Sequence, residues 1–329
     1  MIAGADAGER AEEVAHNGAW PIIAEVSSGA RFGRNLVVHY RDALTDPDLG
    51  GLVERALVFG HPTLSRQVAS LLERKDIEIV QLGARDEVSV AGHGGHADDR
   101  PESVEWLRAW QRWDRAAQAH HDALMAQESP AARAPDVDTS RARSAAAQRE
   151  FVKGELAAAR APITRELLVS AAWRVTWPHD RLVFGASRLI RVADATVPGK
   201  KISVHANRGL SGIDGNIGTG IGIALAAEPA LTRVLLGDVA ALHDAGSMLF
   251  PVGEARPRIQ VIVGNDGGGS IFDQLEVAAT ADEKSFDRVM FTPQDARFEH
   301  LALAYGWRHV HVSTMGELEA ALIGAGDGP

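Results

Sequence analysis

The sequence predicts an α/β fold built from two tandem parallel-sheet units. Three observations carry that prediction. Short apolar runs alternate with helical stretches through the first hundred residues and again after Pro162. Such alternation is the mark of parallel strands with helices packed on them. A long helical pattern separates the two alternating regions. The 329 residues also suit about two domains at the usual ~150 residues each. The expected division is residues 1–99, a helical linker over 100–160, and residues 161–329.

In the first unit, Met1–Ala3 is a strand-like stub that leads into a Gly turn. Glu9–Asn17 and Thr63–Arg74 read as helices. Pro21–Val26, Leu36–Val38, Ala56–Phe59 and Ile77–Gln81 read as buried strands. Gly60-His61-Pro62-Thr63 is either a ligand loop or a turn whose Thr63 caps a helix. Ala91–Pro101 is Gly-rich and polar and reads as a linker. Its His93 and His96 lack a metal-site spacing. Glu102–Gln127 has helical spacing with Trp106, Trp110 and Trp113 on one side, a stripe expected to pack as core. Ser129–Ser144 is rich in Pro, Ala and charge and reads as a surface insertion.

In the second unit, Thr164–Trp173 reads as a helix. Strands are expected at Arg181–Phe184, Lys201–His205, Arg233–Gly237, Ile259–Val263 and His309–Val312. Helices are expected at Ile217–Ala227, Ala241–Phe250, Asp295–Tyr305 and Gly316–Ile323. Gly324–Pro329 is a turn signal, after which a further strand is expected.

Composition narrows the function. There is no Cys, which excludes disulfides, zinc thiolates, iron–sulfur clusters and a Cys nucleophile. The net charge of -10 argues against nucleic acid or anionic membrane as a partner, while leaving room for a local basic pocket. No apolar run approaches a membrane span, and the first residues do not form a signal peptide. A cytoplasmic enzyme or binding protein fits.

Four stretches lie where a sheet presents ligands, beyond the carboxyl ends of strands. Gly237-Asp238-Val239 ends a strongly apolar strand. Asn265-Asp266-Gly267-Gly268-Gly269 ends the next. Asp238 and Asp266 are 28 positions apart, one right-handed crossover, which sets the two strand ends near each other. Two carboxylates and a glycine carbonyl make a hard oxygen site suited to Mg²⁺ that also holds phosphate. The competing reading is that Asp238 caps the next helix and the glycines form a turn. The third stretch runs from His205 to Gly215, with Arg208 placed as a fork for carboxylate or phosphate, or as a surface ion pair. The following Gly218, Gly220 and Gly222 do not have dinucleotide-fingerprint spacing and suit close helix packing instead. In the fourth, Gly185 to Arg191, Ser187 and Arg191 can meet an anion, although the stretch by itself is a loop.

Asn207-Arg208-Gly209-Leu210-Ser211-Gly212-Ile213-Asp214-Gly215, then Gly237-Asp238, then Asn265-Asp266-x-Gly268-Gly269-x-Ile271-Phe272, resembles the MenD-type synthases of menaquinone biosynthesis within the thiamine-diphosphate enzyme family. These are the 2-succinyl-5-enolpyruvyl-6-hydroxy-3-cyclohexene-1-carboxylate synthases. The resemblance covers the family's central and diphosphate-binding domains. It implies a thiamine-diphosphate-binding fold at 161–329, without its last strand, preceded by a partial central domain.

The resemblance also implies roles. Asp238, Asp266 and the Gly268 carbonyl would hold Mg²⁺ or Mn²⁺, with Asn265 the competing ligand one residue away. Gly237, Asp238, Val239, Asn265 and Ile213 would contact thiamine diphosphate. Ser187, Arg191, Arg208, Ile271, Phe272 and Leu275 would contact substrate. The implied substrates are 2-oxoglutarate, which is decarboxylated, and isochorismate, which accepts the remainder. The glutamate that activates the cofactor belongs to the family's pyrimidine-binding domain, which nothing in these residues matches. The chain alone is therefore expected to be inactive. The complete enzyme is expected to be a homodimer or homotetramer, or to use a separate chain carrying that domain. Two other readings stay open. One is an acetolactate-synthase-like decarboxylase or carboligase, which would have less use for both Arg191 and Arg208. The other is a non-catalytic diphosphate-binding module.

Overall fold

The computed structural model describes residues 1–83, 101–128, 144–210 and 212–324. The Gly-rich stretch with His93 and His96, the 129–143 part of the expected insertion, Ser211 and the 325–329 turn lie outside the described residues.

The first sheet holds β1 (Ile2–Ala3), β2 (Ile23–Ala24), β3 (Arg55–Phe59) and β4 (Glu78–Leu82), all parallel, in the order β2-β1-β3-β4. The stub at Met1–Ala3 is thus an inner strand. The expected strand at Leu36–Val38 is only a single bridge, Ile22 with Leu36. The residues that follow turn instead into helix α2 (below), where Tyr40 is fully buried.

The second sheet holds β5 (Arg181–Phe184), β6 (Ser203–Ala206), β7 (Thr232–Gly237) and β8 (Ile259–Gly264), again all parallel, in the order β6-β5-β7-β8. In β7, Thr232 to Leu236 are all buried, as a central parallel strand covered on both faces requires. Its one charged member, Arg233, is neutralised by Asp180 at 3.0 Å. The chain runs from β5 outward to β6, then returns to the other side as β7. The carboxyl ends of β5 and β7 therefore flank the point where strand order reverses, the crevice in which open α/β sheets place ligands.

The helices are α1 (Arg10–Gly18), α2 (Tyr40–Thr45), α3 (Arg66–Leu72), α4 (Pro101–Glu128), α5 (Ala145–Ala159), α6 (Arg165–Val175), α7 (Arg188–Thr196), α8 (Asn216–Ala227), α9 (Asp238–His243), α10 (Glu276–Thr280), α11 (Glu283–Phe286), α12 (Phe298–Ala304) and α13 (Met315–Gly324). The tryptophan stripe of α4 packs on the first unit's core. Trp110 is 2% exposed and meets Trp106 edge-on at 5.8 Å. Gly220 of α8 lets that helix close onto the sheet, since a Cβ there would lie 2.2 Å from a methyl of Val234. Gly218 is less tight and Gly222 faces open space, so close packing explains only part of that glycine series.

Three expectations in the second unit are corrected. His309–Val312 is not a strand. Val310 and His311 are both exposed and Val312 packs on the core, but no ladder forms, and the nearest bridge joins Pro162 with Thr314. Ala241–Phe250 is not one helix. α9 starts at Asp238 and stops at His243, and a separate 3₁₀ turn covers Ala245–Met248. The loop read at Gly185–Arg191 is in large part the first turn of α7. Ser187 caps that helix, its hydroxyl accepting from the Leu189 N–H at 3.3 Å.

The two units share a core cluster in which Val26 and Leu64 pack with Phe184, Leu189 and Ile190. A buried ionic knot lies beside it. Asp194 of α7, fully buried, accepts from the Val26 amide at 3.0 Å, the Tyr40 hydroxyl at 2.5 Å and Arg41 Nη2 at 2.8 Å. Arg31, equally buried, donates to the carbonyls of Ala24, Asp194 and Val197.

Candidate functional site

The site forms at the carboxyl edge of the second sheet and extends to the first unit. It begins where β5 and β7 diverge. Gly185 has no room for a side chain, since a Cβ would lie 2.6 Å from the Leu236 Cβ. Gly237 faces Ser187 at ordinary contact distance, a Cβ there standing 3.4 Å from the Ser187 Cβ. Ser187 therefore lies against Gly237, at the end of β7.

Asp238 follows Gly237 and is 2% exposed. It opens α9 but does not cap it, which answers the capping alternative. Its carboxylate accepts from the Gln294 side-chain amide at 2.7 Å and from the backbone amides of Val239 and Gly268. Burial raises its pKa above the ordinary carboxyl value. The Gln294, Val239 and Gly268 hydrogen bonds pull the other way, and the charge of Asp266 adds to the rise. The ends of β7 and β8 are paired in register, Gly237 against Gly264, so the loops after them are neighbours.

The β8 loop is shaped by its glycines. Gly267 takes φ +81°, and a Cβ at Gly268 would lie 2.6 Å from the Phe291 carbonyl oxygen. Asn265 Oδ1 accepts from the Gly267 amide at 3.2 Å and from Gln294 Nε2 at 2.9 Å. Asp266 faces elsewhere. Its Oδ2 accepts from Ser270 Oγ at 2.6 Å and from Arg165 Nε at 2.8 Å, with Arg165 Nη2 at 2.7 Å. Asp238 and Asn265 thus share a donor, whereas Asp266 is held by Arg165. The Gly268 carbonyl accepts from the Ser270 amide at 2.9 Å. Ile271, Phe272 and Leu275 sit on or just after the 3₁₀ turn Ser270–Gln274, Ile271 and Leu275 half-buried and Phe272 exposed. Ile213 is half-buried against the cluster of Val183 and Ile217.

The oxygens brought together at Gln294 are hard donors, the Asp238 carboxylate and the Asn265 amide oxygen, with the Gly268 carbonyl and the Arg165-held Asp266 carboxylate on the same loop. That set suits Mg²⁺ or Mn²⁺ rather than a soft metal. Among the described residues no three His, Asp or Glu side chains form a metal cluster. A cation here would therefore rely on backbone, water or phosphate oxygens as well, as Mg²⁺ sites that hold a diphosphate do. The rise of Asp238 comes chiefly from burial, a cost to its charged form that a cation beside it would offset.

Arginines form the second half of the site. Arg208, on the loop after β6, is 9% exposed and crosses to the first unit. Its Nε donates to Thr63 Oγ1 at 2.8 Å and its Nη2 to the Thr63 carbonyl at 3.0 Å. That settles the alternatives at Gly60–Thr63: the helix there starts at Arg66 and is capped by Ser65, while Thr63 receives an arginine. Thr63 is itself fixed by Glu25, whose Oε1 accepts the amides of Thr63 and Leu64, both at 2.7 Å. Arg191, exposed on α7, is held below its ordinary pKa by partial desolvation and then by the charges of Arg208, Arg41 and Arg66. No carboxylate or hydrogen-bonding partner of its guanidinium is seen among the described residues. Four guanidiniums gather at this edge of a chain of net charge -10, Arg41 paired with Asp194 and Arg66 with Glu276.

Gln294, Arg165, Glu25, Arg41 and Arg66 were not expected as site residues. Their side-chain hydrogen-bond partners in other elements lie 29 to 210 positions away in sequence, so no local spacing marks them.

No protein-family model matches the chain. A 2-succinyl-5-enolpyruvyl-6-hydroxy-3-cyclohexene-1-carboxylate synthase of Leifsonia xyli subsp. xyli is 52% identical over 98% of the chain and 57% of its own length. One from Clavibacter michiganensis subsp. michiganensis is 49% identical over 93% of the chain and 54% of its own length. The chain therefore spans about half the length of these curated relatives. Among solved structures, a benzoylformate decarboxylase from Polynucleobacter necessarius superposes with a TM-score of 0.56 at 11% identity, covering 99% of the chain and 58% of that protein. A thiamine diphosphate-dependent 4-hydroxybenzoylformate decarboxylase from Rhodococcus jostii RHA1 does so with 0.56 at 15% identity, covering 98% and 58%. At those identities the superpositions speak to the fold.

Proposed function

The chain is a relative of the 2-succinyl-5-enolpyruvyl-6-hydroxy-3-cyclohexene-1-carboxylate synthases along almost its whole length, and from that premise we propose that it forms the diphosphate-holding side of a thiamine-diphosphate-dependent synthase of menaquinone biosynthesis. The observation that carries the reading is the buried Asp238 at the switch point of the second sheet, linked through the Gly268 amide to the oxygen-rich β8 loop. When bound, thiamine diphosphate supplies the electron-sink chemistry for decarboxylation and carbon–carbon bond formation.

In this reading Asp238, Asp266 and the Gly268 carbonyl hold Mg²⁺ or Mn²⁺, which neutralises the diphosphate. Gly237, Val239 and Asn265 line that position, and Ile213 supports the cofactor from its apolar cluster. Arg191 and Arg208 take substrate carboxylates, with the Ser187 hydroxyl beside them. Ile271, Phe272 and Leu275 offer apolar contact. The substrates are 2-oxoglutarate and isochorismate, both anionic, which is what a cluster of arginines favours. The setting is the cytoplasm, and a homodimer or homotetramer is the working assembly. Among the described residues no helix is long and apolar enough to cross a membrane. The 329-residue polypeptide on its own binds the diphosphate but does not turn substrate over, because the activating glutamate of the resembled enzymes belongs to a domain outside these two sheets.

Calorimetric titration of the purified chain with thiamine diphosphate, with and without Mg²⁺, tests the reading. Binding is expected only with Mg²⁺ and is expected to be lost in Asp238→Asn. Binding indifferent to both Mg²⁺ and Asp238 would overturn it. Turnover of 2-oxoglutarate plus isochorismate by the chain alone would overturn the expected inactivity.

A further inference from the structure

Two side chains from outside the β7 and β8 loops already occupy the acidic oxygens. Arg165 holds Asp266. Gln294 holds Asp238 and Asn265 together: its Nε2 is 2.7 Å from Asp238 Oδ2 and 2.9 Å from Asn265 Oδ1. A primary amide has two N–H donors, and here each meets one of the two oxygens. The other end of the amide is also committed, since Oε1 accepts from the Ala296 amide at 2.8 Å. That bond orients the group, nitrogen toward the acid and oxygen away from it. The backbone adds a further tie, Gln294 N–H donating to the Gly267 carbonyl at 3.0 Å. The preceding residues lie over the same loop, with the Gly269 amide donating to the Phe291 carbonyl at 2.5 Å. Thr292, at φ +46°, takes the left-handed turn that carries the chain back to Gln294.

The electropositive edge of an amide, placed at hydrogen-bond distance between the proposed ligand Asp238 and the competing ligand Asn265, is the uncharged counterpart of a cation at that position. The two cannot coexist. Mg²⁺ sits about 2.0–2.1 Å from its oxygens and demands near-octahedral space, which the Gln294 nitrogen fills. We propose that Gln294 sets the cation affinity of this site by occupying the cation's position with its side-chain amide, so that loading requires Gln294 to withdraw. This rests on the reading of Asp238 as a cation ligand. It adds a residue that opposes binding, located 56 positions from the ligand it masks.

Mn²⁺ alone, titrated into the 329-residue chain and followed by the loss of the free-ion electron paramagnetic resonance signal, separates the two claims. Wild type is expected to bind one Mn²⁺ weakly, Gln294→Ala about tenfold more tightly, and Asp238→Asn not at all in either background. Affinity of Gln294→Ala equal to or below wild type, with Asp238→Asn still abolishing binding, would overturn the masking role and leave the cation site standing. Absence of Asp238-dependent Mn²⁺ binding in every variant would overturn the cation reading and the masking role with it. Should Gln294→Ala fail to fold, hydrogen exchange of the wild-type chain decides. Mn²⁺ is expected to speed exchange at the amides of Gln294 and Ala296, and unchanged or slower exchange there refutes withdrawal.

Discussion

Glu25 offers the most quantitative prediction. Its carboxyl is fully buried at the junction of the two units. One oxygen accepts two backbone amides, and the other, Oε2, has no hydrogen-bond partner among the described residues. Burial therefore pushes its pKa from the ordinary 4.5 up to about 7, against the opposing pull of the Leu64 and Thr63 amides and of Arg208, with Asp194 adding to the rise. The sign follows from proton counts. At low pH the group is protonated whether the chain is folded or not. As pH rises from 4.5 toward 7 the unfolded chain gives up its proton first, so the folded state loses stability through that window and the loss levels off above about pH 7. For those two values the loss between pH 5 and pH 8 is about 2.5 kcal/mol. Glu25→Gln keeps an oxygen for the two amides and is neutral throughout. Urea unfolding of both proteins across that range isolates the group, because every other titration cancels in the difference. Wild-type stability minus that of Glu25→Gln is expected to fall by about 2.5 kcal/mol from pH 5 to pH 8. A difference that stays flat within ~0.5 kcal/mol, or that rises, refutes the raised carboxyl.

Other consequences are as direct. Asp194→Asn leaves the buried Arg31 and the half-buried Arg41 without their carboxylate, and denaturation should show a loss of ~3–5 kcal/mol; a loss under ~1 kcal/mol would mean that the knot does not join the units. Gly220→Ala, which at an ordinary helix site gains ~1 kcal/mol, should instead cost ~1–3 kcal/mol through the clash with Val234, read in the same unfolding assay. Arg191→Gln relieves repulsion from Arg208, Arg41 and Arg66, so thermal stability should rise slightly at low salt, with the gain vanishing as salt is added. Equal stability of the two proteins at every ionic strength would contradict the arginine cluster.

Much of this molecule was legible in local pattern. Apolar runs such as Arg181–Phe184 and Arg233–Gly237 declare strands because a parallel strand buries both faces, whatever lies around it. The stripe of Trp106, Trp110 and Trp113 declares the inner face of a helix by its spacing alone. Gly237-Asp238 and Asn265-Asp266 mark the site because the end of a strand and the length of one crossover are properties of the chain itself. Where pattern misled, a partner was missing or a competing one was present. His309–Val312 alternates like a strand yet finds no ladder, and Leu36–Val38 gives way to the buried Tyr40.

What determines the site's behaviour is of the second kind. Asp238 could be picked out from sequence as an acid beside a glycine at a strand end. That Gln294 occupies the space in front of it, that Arg165 answers Asp266, and that Glu25 fixes Thr63, which in turn receives Arg208, are matters of tertiary structure. Periodicity records which face of its own element a residue occupies. A hydrogen bond between residues 56, 101 or 145 positions apart depends on how separate elements come to rest against one another, and only the packed molecule specifies that.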